Sequence, residues 1–270
     1  MHRNGFLFLR QSRNRHRYPR SDATMRVPAT SDDASDRPEG KPMTIDEIAG
    51  IADELETASS TEILRWALAR FSGSIVAACS FGGPSGMVLL DQMVALDRSI
   101  PIFYIDTGLL HAETHEHCRR VAEHYKIAPL VVCAAVSLAE QNERYGDRLW
   151  ERDPDRCCEI RKVDAQRNFL VGYRAWISGI RRDQTPARAR ARVIEWDEAF
   201  DIVKINPLAR WSDQEIWGYI QERNVPYNAL HDRGYASIGC VPCTKPSVAG
   251  DPRSGRWPGH LKTECGIHGR

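Results

Sequence analysis

One short run, Ser74 to Ser80 (Ser-Ile-Val-Ala-Ala-Cys-Ser), constrains the fold of this chain more than any other stretch. It is apolar on successive rather than alternate residues, as expected of a parallel strand covered on both faces. It leads into Phe81-Gly82-Gly83-Pro84-Ser85-Gly86, after which Met87 to Leu96 resumes with helical apolar spacing. A strand, a Gly-rich loop and a helix together aim backbone N–H groups and a helix N-terminus at an anion. The same letters also describe an ordinary tight turn between strand and helix.

The motif recurs along the chain. Ile100 to Asp106 reads as a second strand stopped by Thr107-Gly108, followed by a helix from Leu109 to Tyr125, and Pro129 to Cys133 reads as a third strand. Asp153 to Phe169 is expected to be one helix, Ala175 to Ser178 a fourth strand ending in Gly179-Ile180-Arg181-Arg182-Asp183-Gln184, and Ile202 to Ile205 a fifth. Capping boxes at Thr44-x-x-Glu47, Ser59-x-x-Glu62 and Ser212-x-x-Glu215 mark three further helix starts. The last of these helices stops near Asn224, before Pro226, and the remainder is Gly/Pro-rich and irregular. Strands alternating with helices predict an α/β fold with a mostly parallel sheet flanked by helices, whose ligand site lies at the C-terminal ends of the strands. The Gly-rich loop, Thr107-Gly108 and Gly179 to Arg182 all fall at such ends, so three loops can line one crevice.

Composition narrows the partners. Over 270 residues the formal net charge is +1, which gives no bulk attraction to nucleic acid or to a membrane surface. Mean hydropathy is −0.46, and no apolar run approaches the roughly 18 residues that span a bilayer. Residues 1–42 are rich in Arg, Ser, Asp and Pro, and are read as a disordered extension ahead of Met43. A nucleotide-binding body is expected over 43–250 and a short tail over 251–270. With no signal-peptide pattern, the cytosol is the expected compartment, and the eight cysteines point to metal or redox chemistry rather than a disulfide framework.

Five of those cysteines carry the functional argument: Cys157-Cys158, Cys240-x-x-Cys243 and Cys265. Cys240-Val241-Pro242-Cys243 has the spacing of a metal knuckle or a redox pair. A redox pair alone leaves Cys157-Cys158 unexplained, and neighbouring helical cysteines point about 100° apart. A bulky centre taking two thiolates from one edge satisfies both pairs, and a cubane iron–sulfur cluster suits a contiguous pair better than zinc. A vicinal disulfide beside a zinc half-site is the alternative. Lys162, four residues after Cys158, would share its helical face and offset thiolate charge, or else be simply solvated. Cys265 lies in the polar tail Lys262-Thr263-Glu264-Cys265-Gly266-Ile267-His268. It is either an idle exposed thiol or a nucleophile activated by Lys262, His268, Arg253 and Arg256. Cys79, Cys118 and Cys133 are expected in the core. His111 and His115 have a spacing that can hold a metal, but without a third ligand they read better as solvated.

In order along the chain, these stretches resemble the assimilatory sulfonucleotide reductases, specifically the iron–sulfur branch. The resemblance is carried by Cys79-Ser80-Phe81-Gly82, Ile105-Asp106-Thr107-Gly108, Arg156-Cys157-Cys158 with Arg161-Lys162, Gly179-Ile180-Arg181-Arg182-Asp183-Gln184, Gly239-Cys240-x-Pro242-Cys243, Arg253-x-Gly255-Arg256-Trp257 and Glu264-Cys265-Gly266-x-His268. It implies an adenine nucleotide alpha hydrolase-like (ATP pyrophosphatase-like) fold with a flexible tail carrying a catalytic Cys265. It further implies thioredoxin-dependent reduction of adenylyl sulfate (APS) to sulfite and AMP through an S-sulfocysteine, one [4Fe-4S] cluster per chain on Cys157, Cys158, Cys240 and Cys243, and a homo-oligomer. Substrate contacts would fall on Ser80, Phe81, Gly82, Thr107, Gly108, Lys162, Arg181, Arg182, Arg253 and Arg256, with His268 in support. Phosphoadenylyl sulfate (PAPS) as substrate, and a non-catalytic metal-stapled nucleotide-binding module, are the alternatives. One departure stands out: Gly83-Pro84-Ser85-Gly86 replaces the acidic pair that the family loop usually carries.

Overall fold

The computed structural model of the protein describes residues 43–268. The extension read over 1–42 therefore lies outside the described residues. Six strands form one sheet in the order β3-β2-β1-β4-β6-β5. They are β1 (Ile75–Ala78), β2 (Ile102–Asp106), β3 (Leu130–Cys133), β4 (Ala175–Ile177), β5 (Ile194–Asp197) and β6 (Ile202–Ile205). All neighbours run parallel except β5, which pairs antiparallel with β6.

The unbroken apolar runs follow from coverage on both sides. Ile75, Ala77, Ile102 and Ile177 belong to one core with α1 (Ile45–Glu54), α2 (Ser60–Arg70), α3 (Pro84–Leu96), α4 (Ala112–Tyr125) and α9 (Asp213–Arg223). Val76, Phe103 and Trp176, pointing the other way, pack with Val163, Ala165 and Leu170 on the opposite face. The capping boxes at Thr44, Ser59 and Ser212 form as the spacing predicts, each hydroxyl accepting from the N–H three residues on.

The structure adds elements and corrects others. Ser137-x-x-Glu140 is a fourth capping box, opening α5 (Leu138–Tyr145), and a single turn, α6 (Leu149–Arg152), follows. Asp153–Phe169 is not one uninterrupted helix. It is α7 (Pro154–Cys158), a wide π-turn at Glu159–Val163 with the Asp164 N–H donating to the Glu159 carbonyl, and α8 (Asp164–Leu170). The strand read as the fifth is β6; β5 precedes it, with Glu195 opposite Lys204 at a 3.1 Å ion pair. Cys79 and Cys118 are core residues as expected, but Cys133 is exposed, because it ends the edge strand β3. His111 is not a helical residue but the N-cap of α4, buried against Tyr235, while His115 is exposed, so the two do not form a joint site. His117 is fully buried.

Strand order places the site. From β1 the chain proceeds outward through β2 to β3, then returns to the other side of β1 with β4. The loops after β1 and β4 therefore part company, leaving a crevice between them at the strands' C-terminal ends.

Candidate active site

A crevice of about 370 Å³ opens at that switch point. The β1 loop and the start of α3 supply Ser80 and Gly82 to Gly86, the β2 end supplies Thr107, and the β4 end supplies Gly179 to Arg181. α3 starts at Pro84 with Gly83 as its N-cap and no acidic residue in its first turn, so the helix N-terminus faces the crevice without a competing carboxylate. The loop is fixed from behind. Asn228, 1 % exposed, donates to the Phe81 carbonyl at 3.1 Å, and His231 Nε2 lies 3.0 Å from the Gly82 carbonyl. These contacts and the packing of Phe81 on Tyr104 and His117 hold Phe81 at φ 53°, a conformation costly for a non-glycine residue.

The predicted substrate residues separate into two groups. Ser80, Gly82, Thr107, Lys162, Arg181, Arg253 and Arg256 line the crevice, as do Cys265 and His268. Phe81 instead turns its ring into the core. Gly108 stands aside, against Arg161 and Leu138. Arg182 is not brought to the crevice: its guanidinium grips Glu56 at 2.6 and 3.0 Å and donates to the Ala191 carbonyl. Arg181, its neighbour, is 3 % exposed and donates to Ser85 Oγ, to Asp183 at 2.9 Å and to Asp213 at 3.0 Å. Ser85 thus gives Arg181 a neutral acceptor from α3, and the arginine's charge is met from the β4 loop and α9.

The four paired cysteines meet beside the crevice. Cys157, Cys158, Cys240 and Cys243 are buried, free, and line one small cavity with Leu109, Trp150, Arg161, Lys162 and Trp257. The Cys240–Cys243 turn is strapped to the β2 loop by the Val241 N–H donating to the Leu109 carbonyl at 2.8 Å, and Thr107 Oγ1 lies 3.3 Å from Cys240 Sγ. Arg161 ties the π-turn to the same loop through the Thr107 carbonyl. Burial pushes the Cys157 thiol up to about 11 and the Cys243 thiol up to about 12, and the sulfurs around them add to the rise. Among the described residues no three His, Cys, Asp or Glu side chains form a ready ligand set for a single ion. Four free buried thiols flanked by Arg161 and Lys162 are a donor set that could hold an inorganic centre.

Cys265 closes the crevice from the side of the thiol cavity, packed with Cys158, Cys240, Cys243 and Trp257. Burial alone would push its thiol up. Lys162, the Ile267 N–H, Arg188 and Arg256 outweigh that and hold it below the free-thiol range. These are not all the cations expected from sequence. Lys262 pairs with Asp155 instead. His268 stacks on Trp176, rings 5.7 Å apart and nearly parallel, and burial with Arg188, Lys204 and Arg253 nearby keeps it neutral. Lys162 belongs to both compartments, lining the thiol cavity and the crevice alike.

The crevice is short of negative charge. Arg253 and Arg256 share Ser237 Oγ as an acceptor, each at 3.1 Å, and the buried Nε of each has no hydrogen-bond partner among the described residues. Burial, then Arg256, holds the Arg253 guanidinium down to about 10. Three cations, Lys162, Arg253 and Arg256, stack or converge near Trp257 and Cys265 where an anionic ligand would relieve them. Two contributors escaped the sequence reading. These are Arg188 and Glu264; no local signal links them, because they are 76 positions apart.

Comparison with known proteins agrees with this arrangement. A family model described as the phosphoadenosine phosphosulfate reductase domain matches residues 74–246. An adenosine 5'-phosphosulfate reductase from a Geobacillus species is 45 % identical over 215 residues, covering 79 % of this chain and 91 % of that protein. Adenosine 5'-phosphosulfate reductase 1 of Bacillus subtilis is 46 % identical over 208 residues, covering 76 % and 89 %. The crystal structure of a phosphoadenylyl-sulfate reductase from Candida auris, in a phosphate complex, superposes with a TM-score of 0.66 at 32 % identity, covering 77 % of this chain and all of that one. A Candida glabrata FMN adenylyltransferase, at 19 % identity and a TM-score of 0.50, shares the fold alone. The adenine nucleotide alpha hydrolase-like fold is therefore shown, and the chain belongs to the phosphoadenosine phosphosulfate reductase family, among the adenosine 5'-phosphosulfate reductases.

Proposed function

We propose that this chain reduces adenylyl sulfate to sulfite and AMP, with Cys265 as the nucleophile. The observation that carries this reading is a thiol, held below the free-thiol range by Lys162, Arg188 and Arg256, set in a cationic crevice at the β1/β4 switch point. The Cys265 thiolate attacks the sulfate sulfur of the nucleotide. A bond from Sγ to that sulfur forms, the sulfur–oxygen bond to the phosphate breaks, and AMP leaves with the electron pair. Lys162, Arg253 and Arg256 neutralise the leaving phosphate, and the N-terminus of α3 with Ser80 and Gly82 cradles the nucleotide. A thiolate of a dithiol reductant of the thioredoxin type then attacks Cys265 Sγ and expels sulfite. Its second thiol breaks the resulting mixed disulfide, returning Cys265 and leaving the reductant oxidised by two electrons.

Cys157, Cys158, Cys240 and Cys243 would hold one [4Fe-4S] cluster per chain. When bound, that group supplies a fixed charged anchor that orders the β2 loop and the π-turn without a net change of redox state. Adenylyl sulfate is favoured over its 3'-phosphorylated form because all four ligand cysteines are present beside the catalytic thiol. A cytoplasmic site of action and self-association complete the reading drawn from the family.

Incubation with adenylyl sulfate and no reductant should add one sulfonate mass to the peptide carrying Cys265, and Cys265→Ser should abolish it. Retained turnover in Cys265→Ser would sink the mechanism and favour a nucleotide-binding module.

A further inference from the structure

The tail after Trp257 is seated in the crevice rather than hanging from the body, and one side chain dominates the seat. Glu264, 9 % exposed, receives a two-pronged contact from Arg188, Nε to Oε1 at 2.9 Å and Nη2 to Oε2 at 2.6 Å. Thr185 Oγ1 donates to Oε1 at 2.8 Å, and Arg253 Nη2 stands 3.5 Å from Oε2. The third nitrogen of Arg188 donates to Gln184 Oε1 at 2.5 Å. All three nitrogens are therefore engaged within the protein, so Arg188 is arranged to grip the tail rather than to wait for a phosphate. The other anchors are weaker or more exposed: Asp155, the partner of Lys262, is 75 % exposed, and the Thr263 carbonyl takes one donor from Arg253. Past Cys265 the backbone turns through Gly266 at φ 88°, where an added Cβ would lie 3.2 Å from Val163 Cγ2, so the tail also sits tightly on the π-turn.

We propose that Glu264 is a positioning residue for the sulfur-transfer step: locked by Arg188 and Thr185 of the β4 loop, it seats Cys265 against the crevice. The inference rests on Cys265 being the nucleophile, but the seat itself can be tested without that assumption. A two-point carboxylate–guanidinium contact fixes orientation as well as distance. The residue it orients is its immediate neighbour in sequence, so a loss of lock translates directly into misplacement of Sγ. The β4 loop that provides the lock also lines the nucleotide crevice, which makes the tail's position responsive to the same loop that meets the substrate.

The test uses the full-length, cluster-loaded protein and the variants Glu264→Gln, Arg188→Gln, Thr185→Val and the Arg188→Gln/Glu264→Gln double. N-ethylmaleimide labelling is followed by mass spectrometry on the tryptic peptide that begins at Thr263. With the lock broken, Cys265 should label at least about tenfold faster in Glu264→Gln. Turnover should fall about 100-fold through kcat, the scale expected when a reacting group is displaced by about 1 Å. KM and AMP affinity should stay within about threefold, a split that general loss of structure would not give. The double variant should be no worse than Arg188→Gln alone, and Thr185→Val should fall between wild type and Glu264→Gln. Wild-type labelling together with wild-type kcat in Glu264→Gln would overturn the proposal, as would losses that simply multiply in the double variant. Faster labelling with unchanged kcat would keep the seat but refute its part in transfer, while loss of sulfonation in the Cys265→Ser control tests the nucleophile separately.

Discussion

Adding one methyl group at Gly179 tests whether the crevice is as rigid as its construction implies. Gly179 follows β4 at the switch point. A Cβ built there would meet the Gly86 nitrogen at 3.2 Å and the Gly86 Cα and Ser85 carbonyl carbon at 3.3 Å each. All three are backbone atoms of the β1 loop and the first turn of α3, so no flexible side-chain end can swing away. The β4 and β1 loops must separate by a few tenths of an ångström. Inserting a methylene-sized group into a packed interior costs about 1–3 kcal/mol, or roughly 2–10 °C in melting temperature for a protein of this size. Because the displaced atoms belong to the proposed nucleotide cradle, kcat/KM for adenylyl sulfate should fall about tenfold, a fraction of what a full ångström of misplacement costs. Gly50→Ala is the matched control. It makes the same chemical change on the exposed side of α1, where an added Cβ meets nothing within 4 Å, and should stabilise by about 0.5–1 kcal/mol through helix propensity. Thermal unfolding by circular dichroism and steady-state sulfite release measure both quantities. If Gly179→Ala melts and turns over like wild type, the close approach of the two loops is not rigid and the cradle argument fails.

Three further outcomes are expected. Lys162→Met deletes the cation that most favours the Cys265 thiolate, so the thiol should titrate at higher pH and the midpoint of its alkylation-versus-pH curve should move up; an unmoved curve would show that Arg188 and Arg256 suffice. His268 is held neutral on Trp176, so His268→Phe, which keeps the stacking, should retain far more activity than His268→Ala, and the acid limb of the pH–rate profile should be the same in His268→Phe as in wild type. Protein purified without oxygen should be brown with about four irons per chain, and Cys157→Ser should lose that iron; a colourless protein with one zinc would defeat the cluster assignment.

What could be read from the sequence was what local pattern encodes. Buried parallel strands announce themselves by unbroken apolar runs, and the Thr44, Ser59 and Ser212 caps by a hydroxyl followed three residues later by Glu. Strand β5 was hidden because Glu195 and Asp197 interrupt its apolar residues and its stability comes from facing Lys204 on β6. Arg181 and Arg182 are adjacent and chemically equal, and only tertiary structure sends the first to Ser85 and the second to Glu56. The four cavity cysteines and Cys265 were separable by spacing, whereas the contact between Arg188 and Glu264 joins a loop to a tail and leaves no periodic trace.

The π-turn at Glu159–Val163 has a consequence for how one short segment meets two different neighbours. A single wide turn slips the helical phase, because the residues after it are rotated by about one position, or 100°, relative to an unbroken helix. Upstream of the slip, Cys157 and Cys158 face the thiol cavity; within it, Arg161 reaches back to Thr107 while Lys162 opens onto the crevice; downstream, Ala165 and Leu170 return to the sheet. An unbroken helix has only one stripe to offer and would have to surrender one of these three neighbours. The slip works as a gear change: removing one residue here would leave all five cysteines in the chain yet turn the lysine and the sheet-facing residues out of mesh.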